Sequence, residues 1–250
     1  MLRCYYMDIS CDCSYEQSQV LYGLLPSERQ AAVNRLKNEE QIKKKILSGT
    51  FLQYALSVSL NIPMKRIFYQ YGEYGKPVLD KGMMQDCQPE KCCIDFNLSH
   101  SGKYVVLAVS DSLIGIDVER RKRDRLAVAR RCFDKKEYED IRSAHTEQEQ
   151  DMRFLQYWTM KEAYVKYLGE GLRIPFHSFR IKRMENTLSY LEKDLKIQNV
   201  YFATLFLEDL YCISICSRCY KELEEIRQYR DSFSNFFQEV SLKDILDAGI

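Results

Sequence analysis

The sequence predicts an α+β fold, because segments with the periodicity of β-strands and segments with the periodicity of α-helices both recur along its 250 residues. The strand-like segments are residues 3–9, 67–71, 94–98, 104–109, 114–119, 179–182, 200–207 and 210–216. The helix-like segments are residues 26–60, a helix starting at 133 with Asp134 as its N-cap, 147–169 and 220–237, and residues 240–246 predict a short returning segment. Hydrophobic residues make up 46% of the chain, which is enough for the core of one large domain or of two smaller ones.

In the first half, a strand is followed by one long helix and then by further strands. Pro26 suits the first turn of that helix, where no backbone N–H is needed, and Pro63 ends it. Residues 80–93 predict a variable loop. Residues 99–102, Ser-His-Ser-Gly, predict a tight turn whose hydroxyls, N–H groups and imidazole could bind an anion. A hairpin turn without a ligand is the alternative.

The central strand carries two carboxylates. Apolar and polar positions alternate at residues 114–119, so Asp117 and Glu119 share one face, about 7 Å apart along the chain. Such carboxylates repel each other unless a cation lies between them, and a divalent metal with oxygen ligands is the simplest candidate. The alternative is two solvated charges that pair with the basic residues at 120–123, since short motifs also match by chance.

The helix at residues 147–169 ends at the Gly-Glu-Gly of residues 169–171. Trp158, Glu162 and Lys166 are four residues apart and therefore lie along one face of it. That face could supply a carboxylate and an ammonium to a site. The alternative is packing by Trp158 beside a Glu162–Lys166 ion pair worth only about 0.3–0.5 kcal/mol.

Basic and acidic residues are nearly balanced, with 37 Lys and Arg against 36 Asp and Glu. The formal net charge of +1 gives no global attraction to nucleic acid or to an anionic membrane. No apolar run approaches the roughly 20 residues that span a bilayer, and no secretory segment is apparent at the first residues. We therefore expect a cytoplasmic protein that binds neither nucleic acid nor membranes.

The ten cysteines are expected to be reduced in that compartment. Cys212, Cys216 and Cys219 have part of a zinc-ligand spacing, but the chain lacks a second close pair with a suitable gap. Cys212 and Cys216 also fall within an alternating strand pattern. This pattern favours small apolar side chains of a core.

Four motifs, in this order along the chain, together resemble the Sfp-type 4′-phosphopantetheinyl transferase family. They contain Gly-Lys-Pro, Asn-Leu-Ser-His-Ser-Gly, Asp-x-Glu and Lys-Glu-x-x-x-Lys, and they span residues 71–77, 96–102, 114–119 and 158–172. With the opening helix, the resemblance covers roughly residues 1–220. It implies a pseudo-dimer of two similar halves, each a long helix packed on a small antiparallel sheet, with the active site between them.

The resemblance also implies how the chain is divided. Residues 1–112 would form an N-terminal half that binds coenzyme A. Residues 113–250 would form a C-terminal half with the metal carboxylates, the catalytic helix, the carrier-protein docking surface and a C-terminal helix and tail. Two linked halves predict a monomer.

Members of the family transfer the 4′-phosphopantetheine arm of coenzyme A to a serine of an acyl or peptidyl carrier protein and release adenosine 3′,5′-bisphosphate. The resemblance implies that Asp117, Glu119 and Glu162 bind Mg²⁺, which orients the pyrophosphate and acts as a Lewis acid. It implies that Glu162 is the base for the serine hydroxyl and that Lys166 steadies the phosphates. Lys161 points about 100° away from Glu162 on an ideal helix and is expected to contribute little.

The coenzyme-binding residues implied by the resemblance are Arg29, Lys76, Ser99, His100 and Lys166. The serine and the histidine of this set match residues that hold the 3′-phosphate. Arg29 falls near a family lysine with the same role, whereas a second basic position of the family's helix is Ala32 here. Lys44 and Lys45 are the candidates to compensate for that departure.

The resemblance places the carrier protein beside the helix that bears Glu162 and on residues 168–179. Carrier domains are usually acidic, so Arg173, Lys182 and the basic stretch near Arg120 could attract them; ordinary surface solvation is the alternative. Fatty acid, polyketide and nonribosomal peptide biosynthesis all use this arm, and the sequence does not distinguish them. Nor does it decide between Mg²⁺ and Mn²⁺.

Two rival functions stay open at this point. One is a different metal-dependent phosphodiester enzyme, such as a nuclease, although the balanced charge gives no extended basic footprint. The other is a non-catalytic module that binds coenzyme A or carrier proteins. The presence of all three carboxylates and of Lys166 argues against this non-catalytic module.

Overall fold

The computed structural model describes residues 1–72, 75–80, 94–184, 188–193, 196–228 and 233–249. The helices described in the first half are α1 (Tyr15–Leu24), α2 (Ser27–Asn34) and α3 (Glu39–Leu60). The strands described there are β1 (Leu2–Asp8), β2 (Tyr69–Tyr71), β3 (Pro77–Leu79), β4 (Asp95–Ser101) and β5 (Tyr104–Ser110). Most of the loop expected at residues 80–93 lies outside the described residues.

The single helix expected at residues 26–60 is wrong, because α2 and α3 are separate helices. Asn38 caps the start of α3, where its side chain accepts a hydrogen bond from the N–H of Gln41 (3.0 Å). Such a cap satisfies an N–H that has no partner within the helix, and two glutamates follow it in the first turn. The helix α1, which we did not expect, starts at a capping box formed by Ser14 and Gln17.

The tight turn expected at residues 99–102 is also wrong in its position. Ser99, His100 and Ser101 extend β4, where they pair with residues of β5. The chain turns at Gly102, whose φ of +58° is a conformation that glycine adopts at low cost. A hydrogen-bonded strand therefore holds the serine and histidine side chains on alternating sides.

The second half begins with a strand that leads to three helices. Its strands are β6 (Ile114–Arg120), β7 (Arg180–Lys182), β8 (Ser189–Lys193), β9 (Lys196–Leu207) and β10 (Tyr211–Ser217). Its helices are α4 (Leu126–Cys132), α5 (Lys135–Arg142) and α6 (Glu147–Leu168). Asp134 caps α5 as expected, and α6 ends at Gly169 with φ +72°.

The tail was expected to be one helix and a short returning segment, but the described residues form four elements. These are α7 (Tyr220–Gln228), α8 (Phe233–Phe236), β11 (Phe237–Glu239) and α9 (Leu242–Gly249). β11 pairs in parallel with β1, and α9 contacts α1 and α3. The end of the tail therefore packs on the first half, whereas α7 packs on β9 and β10 of the second.

Two sheets organise the described part of the chain, with strand orders β11-β1-β5-β4 and β6-β10-β9-β8-β7. α3 packs on the first sheet through residues such as Phe51 and Leu107. α6 packs on the second through residues such as Tyr164 and Phe202. A third apolar layer lies between the sheets. The expected α+β fold of two similar halves, each with a long helix on a small sheet, is confirmed. The pairing of β11 with β1, which comes from the tail, is parallel.

The described cysteines are all free thiols, and Cys212 and Cys216 are buried in the core as expected. Burial raises the pKa of the Cys212 thiol to about 12, so it stays protonated at neutral pH. Cys87, Cys92 and Cys93 lie outside the described residues. Within the described ranges, no helix combines the length and the apolarity that a membrane crossing requires.

Candidate active site

Strand β4 lies along the edge of β6 and connects the two halves through every second side chain. We call these four side chains the polar ladder: Asp95, Asn97, Ser99 and Ser101. Its first, second and last members accept hydrogen bonds from the backbone N–H groups of Ile114 (2.9 Å), Ile116 (2.9 Å) and Arg120 (3.1 Å). The ladder thus satisfies backbone donors of β6 that have no partner strand on that side, since β10 is its neighbour in the sheet.

Asp117 lies on β6 with only 4% of its surface exposed. Its Oδ1 accepts hydrogen bonds from the Ser99 hydroxyl (2.7 Å) and from the Lys166 ammonium (2.6 Å). Its Oδ2 is buried and has no hydrogen-bond partner among the described residues. Burial raises the pKa of Asp117, and the ammonium of Lys166 opposes that rise. An unpartnered buried carboxylate oxygen is costly, so a ligand is expected to approach it.

Glu119 lies two residues further along the same face of β6, as the alternation predicts. Its Oε2 accepts a hydrogen bond from the hydroxyl of Ser101 (2.8 Å). The side chain is half-buried and opens towards a cavity. Two carboxylates from β6 are thus held by two serines from β4.

Helix α6 approaches β6 closely at Gly115. A Cβ atom at this position would lie 2.0 Å from the carbonyl oxygen of Ala163, which is a severe steric clash. The glycine therefore lets the helix backbone rest directly on the strand. Because Ala163 follows Glu162, this contact sets the carboxylate of the helix beside those of the strand.

Glu162 has a pKa raised to about 7. Burial is the largest cause, and the negative charges of Asp117 and Glu119 add to it, whereas the ammonium of Lys166 opposes it. Groups must be close to influence each other in this way. Glu162 and Lys166 of α6 therefore lie near Asp117 and Glu119 of β6, although these residues of the two elements are at least 43 positions apart in the sequence.

Asp117, Glu119 and Glu162, which we call the carboxylate cluster, have the oxygen ligands that a hard cation prefers. Their side chains are not arranged around a common cation position. No group of three His, Cys, Asp or Glu side chains within the described ranges is positioned as a metal site. Instead the ammonium of Lys166 supplies the positive charge next to Asp117. The bare Oδ2 of Asp117 and the mutual repulsion that affects Glu162 both fit oxygen coordination of Mg²⁺.

Arg29 lies in α2 and is 7% exposed. Its Nε donates a hydrogen bond to the hydroxyl of Tyr69 (3.1 Å), and its guanidinium lies 5.8 Å and 5.5 Å from the ring centres of Tyr69 and Tyr71. Burial and the nearby charge of Arg29 lower the pKa of Lys45. Within the described residues neither cation forms an ion pair with a carboxylate, whereas the side chain of Lys44 is 39% exposed and pairs with Glu40. Arg29 and Lys45 thus form a pair of neighbouring cations in which neither charge is offset by an ion pair.

The other expected coenzyme contacts lie apart from one another. Lys76 forms a part-buried ion pair with Asp95 (2.7 Å) and donates to the carbonyl oxygen of Ile114 (3.3 Å). Ser99 donates a hydrogen bond to Asp117 of the carboxylate cluster, whereas His100 is exposed on the opposite face of β4. Phe96 shares the face of His100 and contacts the ring of Tyr69, so His100 faces the side of β4 on which Arg29 lies.

Lys161 points away from the carboxylates, as the helix geometry predicts. Its ammonium is fully buried, pairs with Glu137 (2.9 Å) and donates to the carbonyl oxygens of Phe176 (2.7 Å) and Phe179 (2.8 Å). Burial lowers the pKa of Lys161 and raises that of Glu137. The pair fastens the segment after α6 to the helix itself.

A cavity of about 130 Å³ opens beside Glu119. Arg120, Lys122 and Arg125 line one side of it, and apolar side chains that include Trp158 line the other. Trp158 packs against aromatic rings of α4–α6 and of the following segment, so it forms part of the cavity wall. The cavity combines a cationic rim with an apolar wall next to the carboxylates.

The sequence suggested the Ser101 hydroxyl only as a possible anion contact, contained Asn97 in a motif without giving it a role, and gave no reason to single out Asp95. A signal was present: every second residue of β4 is a short polar side chain. Such a face needs hydrogen-bond partners once it is buried. What could not be read is that the partner is the edge of β6, because that requires knowing how the halves dock.

Comparison with known proteins gives a consistent family. A model of the 4′-phosphopantetheinyl transferase superfamily matches residues 113–216, and a model of the N-terminal part of 4′-phosphopantetheinyl transferases matches residues 12–112. The chain is 33% identical to the 4′-phosphopantetheinyl transferase gsp of Aneurinibacillus migulanus, over 76% of this chain and 75% of that protein. It is 30% identical to the 4′-phosphopantetheinyl transferase psf-1 of Bacillus pumilus, over 81% and 83% of the two chains. The chain therefore belongs to the 4′-phosphopantetheinyl transferase superfamily.

Proposed function

We propose that this chain transfers the 4′-phosphopantetheine arm of coenzyme A to a serine of acyl or peptidyl carrier proteins, with Mg²⁺, and releases adenosine 3′,5′-bisphosphate. The observation that carries the proposal is the ion pair of Asp117 with Lys166, together with the electrostatic influence of Asp117, Glu119 and Lys166 on Glu162. Membership of the transferase superfamily supports the reaction type.

Asp117, Glu119 and Glu162 would hold the metal ion. Their oxygens are the ligands that Mg²⁺ prefers, and a divalent cation would offset the repulsion that raises the pKa of Glu162. When bound, Mg²⁺ neutralises developing charge on the pyrophosphate. Mn²⁺ has the same ligand preference, so the donor set alone does not choose between the two.

Glu162 and Lys166 would handle the proton and the charge of the transfer. The serine oxygen forms a bond to the phosphorus that bears pantetheine, and the bond from that phosphorus to the adenosine bisphosphate oxygen breaks. Glu162 would accept the serine proton as the general base. Lys166 is 27% exposed, so its ammonium can turn from Asp117 towards the phosphate oxygens and offset their charge.

Arg29 and Lys45 would bind the 3′-phosphate of the coenzyme. A phosphate monoester carries nearly two negative charges, and within the described residues no ion pair with a carboxylate offsets the charge of Arg29 or Lys45. His100 faces the same side of β4 and is exposed. Lys45 thus takes the role that Ala32 cannot supply. Lys76, which pairs with Asp95, is the remaining proposed contact of the coenzyme.

The acidic carrier protein would dock near the cavity beside Glu119 and along residues 168–179. The basic rim of Arg120, Lys122 and Arg125 complements an acidic partner, and the apolar wall can receive the uncharged arm. The buried Lys161 holds the segment after α6 in place. We further propose a cytoplasmic monomer whose residues 1–112 bind the coenzyme and whose residues 113–250 carry the catalytic groups.

Mass spectrometry of carrier domains tests the proposal. Acyl and peptidyl carrier domains are incubated with the chain, coenzyme A and Mg²⁺, and a covalent phosphopantetheine adduct on serine is expected. Asp117→Ala and Glu162→Ala should each lower the rate by at least about 10²-fold, the range for a lost charge-stabilising or acid–base group. Glu139→Ala, which removes an exposed carboxylate of α5, should leave the rate unchanged.

Several outcomes would contradict the proposal. Near-wild-type rates in either Asp117→Ala or Glu162→Ala would contradict the assignment of the active site. Binding of coenzyme A without any adduct would favour the non-catalytic module. Mg²⁺-dependent cleavage of plasmid DNA without use of coenzyme A would favour a nuclease.

The 3′-phosphate assignment is tested with coenzyme A and 3′-dephospho-coenzyme A as alternative donors. Lys45→Ala and His100→Ala should each raise the KM for coenzyme A by about 5–10-fold, as expected for one charge-assisted contact of roughly 1–1.5 kcal/mol. With the dephospho donor the KM should hardly change, because the phosphate is absent. Lys44→Ala, the neighbouring exposed lysine, is the matched control. Equal losses with both donors would show that the residues act elsewhere.

A further inference from the structure

The hydroxyl of Ser101 has two partners that fix its direction. It accepts a hydrogen bond from the backbone N–H of Arg120 (3.1 Å) and donates one to Oε2 of Glu119 (2.8 Å). Because the N–H occupies a lone pair of the oxygen, the hydroxyl hydrogen is left for the carboxylate. Ser101 is thereby anchored to the strand that bears the carboxylate it holds.

Ser99 repeats the arrangement two residues earlier on β4. Its hydroxyl accepts from the Lys166 ammonium (2.8 Å) and donates to Asp117 Oδ1 (2.7 Å). Each serine thus engages one oxygen of one carboxylate. The second oxygen of Asp117 has no hydrogen bond, and no hydrogen bond is seen to the second oxygen of Glu119 within the described residues.

We propose that Ser101 is a positioning residue that orients Glu119 and so sets the affinity of the site for a divalent cation. The inference rests on the proposed function, since it assumes the metal site of the carboxylates. A half-buried glutamate without a partner samples several rotamers, and ordering it costs up to about 1.5–2 kcal/mol. The hydrogen bond from Ser101 orders the side chain of Glu119 in advance, so cation binding has less side-chain entropy to remove. Removing a hydrogen-bond partner of a ligating carboxylate typically weakens metal binding by about 10–100-fold.

Ser101 is a cleaner test of this idea than Ser99. Loss of the Ser99 hydroxyl would also take an acceptor from Lys166 and change the charge balance at Asp117. Ser101 contacts one carboxylate and one backbone N–H, so its loss frees Glu119 without removing a partner of Asp117 or Lys166.

The experiment measures Mn²⁺ binding to the full chain by electron paramagnetic resonance, together with the metal dependence of transfer. In Ser101→Ala the dissociation constant for Mn²⁺ should rise about tenfold, and Ser101→Thr, which keeps the hydroxyl, should restore most of the affinity. The metal concentration for half-maximal transfer should rise by the same factor, while the KM for coenzyme A stays constant. Ser110→Ala removes a buried strand hydroxyl away from the carboxylates and is the matched control.

A double-mutant cycle with Glu119→Gln separates positioning from a general effect on the fold. In that background Ser101→Ala should cause no further loss of Mn²⁺ affinity, and an equal loss would overturn the proposal. Unchanged Mn²⁺ affinity in folded Ser101→Ala would also overturn it. A wild-type chain that binds Mn²⁺ but transfers no arm refutes the proposed reaction and leaves the role of Ser101 standing. A wild-type chain that binds no Mn²⁺ refutes both.

Discussion

The raised pKa of Glu162 has a consequence for the stability of the fold. Its folded value of about 7 lies above the ordinary value of 4.5, so the folded protein holds this proton more tightly than the unfolded chain does. As the pH rises from 4.5 to about 7, Glu162 loses its proton in the unfolded chain but largely keeps it in the folded protein. The carboxyl group therefore destabilises the fold increasingly as the pH rises through that window, and the full effect is present above it.

Glu162→Gln should relieve this cost. In EDTA at pH 8 the variant should be more stable than the wild type by up to about 3 kcal/mol, since each pKa unit corresponds to about 1.4 kcal/mol. The difference should shrink as the pH falls towards 4.5, where the wild-type carboxyl is already neutral in the fold. Urea unfolding at several pH values measures it, with Glu139→Gln as control. A gain that does not depend on pH would contradict the electrostatic explanation.

At the same scale, the sequence anticipated the chemistry of single residues better than their contacts. The alternation in β6 predicted that Asp117 and Glu119 share a face, and the structure has them so. The direct ion pair between Asp117 and Lys166 was not predicted, because the two residues are 49 positions apart. Contacts of that kind follow from the docking of elements, which a periodicity does not describe.

Among the elements, α6 and the segment after it form a unit held together by Lys161. This lysine and Glu137 are fully buried, and Glu137 also accepts a hydrogen bond from the N–H of Ile181 (2.7 Å). Removal of one partner of a buried pair leaves the other charge uncompensated, at a cost of about 3–5 kcal/mol.

Lys161→Met should therefore destabilise the fold by roughly 3–5 kcal/mol in urea unfolding. The double variant Lys161→Met with Glu137→Gln should lose less than the single variant, because no bare charge is left behind. Lys135→Ala, which removes an exposed lysine paired with Glu139, is the control and should change little. If the single and double variants were equally unstable, the lysine would act through packing and not through its charge.

Prediction of the elements failed where two signals overlapped. The segment at residues 26–60 has helical periodicity throughout, and the cap at Asn38 that divides it is a single side chain within a charged run. In β4, Ser-His-Ser-Gly has the composition of a turn, yet pairing with β5 and hydrogen bonds to β6 hold it extended. Tertiary contacts outweighed local preference in both cases.

At the scale of the whole molecule, the tail is a part of the fold that the family models do not cover. The models end at residue 216, whereas β11 and α9 pack on the first half. Ile245 of α9 is fully buried in the same apolar cluster as Leu21 and Leu52 of that half. The tail therefore contributes to the core under α3 and not to that under α6.

Ile245→Ala should destabilise the fold by about 2–5 kcal/mol through the cavity it leaves. Hydrogen exchange should show the loss of protection mainly in α1 and α3, with a smaller change in α6. Lys243→Ala, on the exposed side of α9, should have no such effect. A loss of protection spread equally over both halves would mean that the tail acts on the whole molecule.

At this scale the sequence predicted the α+β class and, by resemblance, the two similar halves, and the structure confirms both. The course of the tail could not be predicted. Residues 220–237 have helical periodicity, and nothing in a three-residue strand such as β11 identifies its partner 233 positions away. Long-range pairing depends on which sheet edge is left open, which is a property of the assembled fold.

The pairing of β11 with β1 has a consequence for how the protein is made. β1 lies inside its sheet, between β5 and β11, so one edge of it stays unpaired until residues 237–239 have been synthesised. Domains generally fold as they emerge from the ribosome, first residues first. Here one edge of β1 stays uncovered until residues 237–239 emerge, and during that interval it is exposed to other nascent chains.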